Sequence, residues 1–180
     1  MRTLLKIVSL AVVALLATVG CQSRTDRTDG GGVLLSIADF DGLPVVVSAS
    51  NGPFDIEEIQ VQSVAKDPES ATSSLMNVEL ESYQVTYARA DTGSQVPPTL
   101  VEHIFGVVPV NGRTTIKNPP FLRFDQLNNL PLKDLVDYGY ERATGSQVIR
   151  LTVGIRFFGR TLSGKKVDSA PAYFTIDVVP

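Results

Sequence analysis

The chain predicts an all-β fold, an antiparallel β-sandwich with one short connecting helix. After residue 20, Val, Ile and Thr number 19, 8 and 12 against 13 Leu and 9 Ala, and side chains stiff at χ1 suit pleated strands. Apolar residues also recur with period two, in short runs parted by Gly, Pro, Asn and Asp clusters. Only one stretch carries helical spacing, which argues against βαβ units and parallel sheets.

Val33, Leu35 and Ile37 alternate before an Asp39-Phe40-Asp41-Gly42 turn, and Val45-Val46-Val47 makes a second short run. Ile59 to Val64 is the third. Leu80, Tyr83, Val85 and Tyr87 give a stronger strand, with Gln84, Thr86 and Ala88 on its opposite face. Ile104–Val110 and Thr114–Ile116 flank an Asn111-Gly112 turn. Pro131 to Gly139 then places apolar residues at 132, 135 and 136, the spacing of a helical turn, with Pro at its start and Gly at its end. Val148–Phe158 is the longest strand, with Ile149, Leu151, Val153, Ile155 and Phe157 on one face. A hairpin through Ser163-Gly164-Lys165 leads to the last strand, Ala172–Val179.

This order of runs resembles an immunoglobulin-like or fibronectin-type-III-like domain. The resemblance rests on Tyr83-Gln84-Val85-Thr86-Tyr87 as a central strand, on Arg150 to Phe157, and on the final hairpin. It implies two packed antiparallel sheets over residues 33–180. The Cys…Trp…Cys signature of true immunoglobulin domains is absent, because there is no Trp and only one Cys. A jelly roll or an eight-stranded barrel carries the same pattern.

The first twenty residues are not part of that fold. Arg2 and Lys6 precede an uncharged apolar run from Ile7 to Val19, and Gly20-Cys21 closes it. This is the make-up of a secretory signal. The run falls short of the about 20 apolar residues that span a bilayer. Thr18-Val19-Gly20-Cys21 resembles a bacterial lipobox, although Thr18 stands where Leu is usual. The resemblance implies cleavage before Cys21, fatty acylation of that cysteine and a lipid bilayer as its first partner. Stable anchoring takes more than one acyl chain. Gln22, where an Asp would favour inner-membrane retention, points to the outer membrane. An uncleaved N-terminal helix is the alternative. Gln22 to Gly32 holds no apolar residue and reads as a flexible tether.

Removing residues 1–20, which hold Arg2 and Lys6, takes the net charge from −3 to −5. A mildly acidic domain without a basic tract has no footprint for nucleic acid. His103 is the only histidine, and no G-x-S-x-G elbow accompanies it. It reads as a surface or strand-edge imidazole. Asp39 and Asp41 are candidate cation ligands, but no EF-hand register fits them, so an acidic turn closed by Gly42 is the plainer reading. Asp55, Glu57 and Glu58, with Asp67 and Glu69, form a second acidic group. No phosphate-cradling loop occurs, and no cofactor is expected.

Tyr138 and Tyr140, either side of Gly139, are the candidates for an exposed binding contact. The expectation is therefore a non-catalytic structural or interaction module of the cell envelope, meeting an envelope or extracellular protein. A small-ligand or carbohydrate-binding module, with its site in the loops at one end, is the alternative; a hydrolase ranks below both.

Overall fold

The computed structural model describes residues 32–69 and 71–180 of the 180-residue chain. The signal, Cys21 and residues 22–31 of the tether lie outside the described residues. Among the described residues eleven strands occur in the order β1 (Val33–Asp41), β2 (Val46–Ser48), β3 (Phe54–Asp55), β4 (Glu58–Ala65), β5 (Val78–Arg89), β6 (Leu100–Val108), β7 (Gly112–Lys117), β8 (Pro120–Leu122), β9 (Ile149–Thr161), β10 (Lys166–Asp168) and β11 (Ala172–Val179). Two short helices, α1 (Phe124–Leu127) and α2 (Leu132–Tyr138), interrupt them before β9.

The strands form a three-stranded sheet ordered β1-β4-β7, a six-stranded sheet ordered β2-β11-β9-β5-β6 with β10 beside β9, and a small β3-β8 pair. Fold and pattern agree on an all-β, largely antiparallel architecture. Period two becomes a buried face on each long strand: Val78, Leu80, Tyr83, Val85 and Tyr87 on β5; Ile149, Leu151, Val153, Ile155 and Phe157 on β9. These join Val33, Leu35, Ile59 and Val61 of the smaller sheet in a single apolar core. Burying each Val, Leu, Ile or Phe side chain stabilises the fold by about 1.5–3 kcal/mol. Tyr83 and Tyr87 bury their rings and still satisfy their hydroxyls, which donate to the Pro120 and Phe121 carbonyls of β8. Burial pushes both phenols well above their ordinary value.

Two details correct the sequence expectation. There are two connecting α-helices rather than one. The four residues of α1 are too few to show a period, and its start is closed locally, the Arg123 amide donating to Gln126 Oε1 at 3.1 Å. One parallel pair also occurs, β2 beside β11, registering Val46 to Ser48 against Asp177 to Val179. Three residues at a sheet edge need no crossover helix to lie parallel. Among the described residues no helix is long and apolar enough to cross a membrane.

The register defines two ends. Val33 pairs with Ala65, Gln62 with Arg113, and Val78 with both Val108 and Thr161, so Gly32 leaves the fold beside these residues. The other end collects Arg89, Leu100, Ile149 and Val178 with both helices. The 12 residues of β5 run from one end to the other, about 40 Å.

Candidate functional site

The end remote from Gly32 carries the aromatic pair. Leu132 and Leu135 bury one side of α2. Gly139 stops the helix with φ +76°, its amide donating to the Leu135 carbonyl at 3.0 Å. This left-handed cap is cheap only without a Cβ. The rings of Tyr138 and Tyr140 lie 6.5 Å apart with planes at 53°, and the residues are 51% and 44% exposed. The Arg142 guanidinium stands 4.7 Å from the Tyr138 ring centroid, a cation–π contact. Asp134 holds that guanidinium, accepting from Arg142 Nε at 2.9 Å and from the Arg142 amide at 3.1 Å.

Under this platform lies a buried charge cluster that no local sequence pattern announces. Glu141 is fully buried and accepts both arms of Arg89, at 2.7 and 2.8 Å, and the Thr144 hydroxyl at 2.6 Å. Arg89 Nε also donates to Asp91 at 2.6 Å, and Asp91 accepts the Gly93 and Arg150 amides at 3.0 and 2.8 Å. One network thus ties the β5–β6 loop, the α2–β9 loop and the start of β9. A Cβ on Gly93 would fall 2.1 Å from the Arg89 guanidinium, so the close passage needs glycine. The Arg89 hydrogen bonds hold Glu141 below the ordinary carboxylate range. Burial pushes Asp91 up, but the bonds from Arg89, Arg150 and Gly93 together outweigh it and set its pKa at about 2. In turn the bond to Glu141 raises Arg89 above its ordinary value. The arrangement can fix loops and present rings.

The other sequence candidates lie apart from it. His103 is exposed on β6 opposite Ser82. Asp39 and Asp41 each accept the following amide, at 2.9 and 2.8 Å, but the turn expected from Asp39 to Gly42 is not there: after a bulge beyond Ile37, Asp39, Phe40 and Asp41 continue β1 and pair with β4, and only Gly42 past its end takes φ +65°. The second carboxylate group is dispersed. Glu58 pairs with Lys117 at 3.2 Å and Glu57 packs against Gly42, while Asp55 lines an open cleft of about 370 Å³ with Arg123 and Phe124. No group of three His, Cys, Asp or Glu side chains is placed to hold a metal among the described residues. Comparison with protein-family models, curated proteins and solved structures gives no match for the chain.

Proposed function

We propose that the chain is a lipid-anchored, non-catalytic interaction module of the bacterial cell envelope. Its signal is 1–20, its acyl anchor Cys21, its tether 22–32 and its folded part an immunoglobulin-like sandwich over 33–180. One observation carries the reading: Gly32 leaves the fold at one end and the Tyr138–Tyr140 platform occupies the other, about 40 Å away along β5. A chain held at Cys21 then presents the platform away from the bilayer. Tyrosine suits such a surface, since it brings a large rigid ring and a wet hydroxyl. The clamp beneath removes the loop-ordering cost that a partner would otherwise meet.

Two measurements test this. A photo-crosslinking residue at position 140 of the full chain in native membranes is expected to capture a discrete envelope protein, and one at position 165 is not. Equal capture from both positions, or none, removes the platform. Metabolic labelling with a fatty acid is expected in wild type and not in Cys21→Ala, and equal labelling of the two removes the anchor.

A further inference from the structure

The solvent-facing side of the six-stranded sheet carries a cleft unconnected with the loop platform. Thr86, Gly154 and Tyr173 lie directly opposite one another on β5, β9 and β11, and Gln84 lies opposite Arg156 one level along. With Pro171 these residues enclose an open cleft of about 190 Å³. Tyr173 is 64% exposed, yet its ring rests against the sheet. A Cβ built on Gly154 would meet ring carbon Cε1 at 2.7 Å and Thr86 Oγ1 at 2.9 Å. Glycine at 154 is therefore what lets an aromatic ring lie on the middle of the sheet.

We propose that this cleft is a binding site for a neutral saccharide, one ring of an oligosaccharide lying against Tyr173. The chemistry of the lining selects that class. β5 and β9 are paired on both sides, so their backbone groups are spent, and β11 keeps an uncovered stretch only at its outer edge, since β2 flanks it from Asp177 to Val179; a peptide strand adding there would lie beyond the Tyr173 ring and not in the cleft. The only charge is neutralised in place. Arg156 pairs with Asp168, and its Nε donates to the Ser169 carbonyl at 3.1 Å. An anion would therefore find no free cation among these residues. The Gln84 amide has no hydrogen-bond partner among the described residues, and the Tyr173 hydroxyl has none either. What remains is a flat apolar ring beside an amide, hydroxyls and a fixed guanidinium. That set complements a ligand with an apolar C–H face and a rim of neutral hydroxyls.

The test titrates the full chain with cellotetraose, chitotetraose and maltotetraose, following the Gln84 side-chain amide and the Gly154 backbone amide by NMR. At least one of these probes is expected to shift both signals. Tyr173→Ala should weaken that binding by about tenfold or more, whereas Tyr173→Phe should keep it. Gly154→Ala should weaken it too, because the added methyl displaces a side chain rather than backbone and the fold survives. Lys165→Ala is expected to bind as wild type. The proposal is overturned if none of the three shifts these signals, or if an acidic oligogalacturonide binds more tightly than the neutral probes. It is equally overturned if Tyr138→Ala abolishes binding while Tyr173→Ala does not. None of these outcomes bears on the protein-crosslinking test of the loop platform.

Discussion

The two ends of the molecule are closed by different chemistry. Beside Gly32 the turns are held by neutral groups. The Lys66 amide donates to Gly32 O at 3.0 Å, the Ala65 amide to Asn111 Oδ1 at 2.8 Å, and the Val110 amide to Asn77 Oδ1 at 3.0 Å. At the other end the loops depend on Arg89, Glu141 and Asp91, with few backbone ladders of their own. Neutral bonds are worth about 1 kcal/mol each and fail one by one. A buried ion pair, by contrast, leaves an uncompensated charge when one partner goes. The end that carries the aromatic platform should therefore yield abruptly, and the end beside Gly32 by degrees.

The largest expected effect breaks the charged end. Glu141→Ala takes the bidentate carboxylate from Arg89, whose side chain is 5% exposed, and leaves it Asp91 alone, which should cost about 3 kcal/mol in chemical denaturation. Hydrogen exchange should open residues 90–99 and 139–148 together. A loss below about 1 kcal/mol would show that the clamp is redundant. Replacing both partners, Arg89→Met with Glu141→Leu, should cost less than the single change, because no charge is left buried.

Acid probes the same asymmetry without mutation. The folded-state pKa of Asp91 is about 2 against an ordinary 3.8, and Glu141 is lowered from 4.5. A carboxyl lowered in the folded state stabilises fully above its unfolded pKa, and that stability is lost as pH falls through the folded value. Stability should thus decline from about pH 4.5 toward pH 2, and exchange at 139–148 should rise before exchange at 65–77. Uniform protection loss at both ends would contradict the contrast.

Among the neutral turns, Asn111 makes the sharpest probe. It sits at φ +57° and accepts the Ala65 amide. Asn111→Ala should cost about 1–2 kcal/mol, from one lost bond and a left-handed backbone that alanine tolerates less well. Asn111→Gly keeps the backbone and should cost less. Equal costs for the two would place the energy in the bond alone.

The long strands were legible because each has one wet and one dry face; β11 occupies the residues 172–179 that alternation marks. The helix from Leu132 to Tyr138 was legible from its spacing and its glycine stop. Of the three-residue strands, Val45-Val46-Val47 marked β2, whereas β8, β10 and α1 went unmarked, since a period cannot declare itself in so few residues. The exposed tyrosines could be named from their place beside Gly139, but their support could not. Arg89 and Glu141 are 52 positions apart, and only the fold brings them together. Gly154 under Tyr173 was hidden similarly, because a glycine in a strand shows its purpose only when its cross-strand neighbour is known.

The smallest stability effect belongs to the surface whose loss should matter most for binding. Tyr140→Ala removes a half-exposed ring with no hydrogen bond among the described residues, and should change stability by less than about 0.5 kcal/mol. Tyr138→Ala also loses the Arg142 contact, worth about 0.5–1 kcal/mol. Each variant should keep the acid profile of wild type, because neither tyrosine hydrogen-bonds to Arg89, Asp91 or Glu141 among the described residues. To read both changes together, the photo-crosslinking residue moves to Val136, also exposed at this end. Capture from 136 should fall sharply in the double variant although the fold persists. If capture survives, the tyrosines are bystanders on a well-clamped loop; if stability falls by several kcal/mol, they support the loop rather than display it.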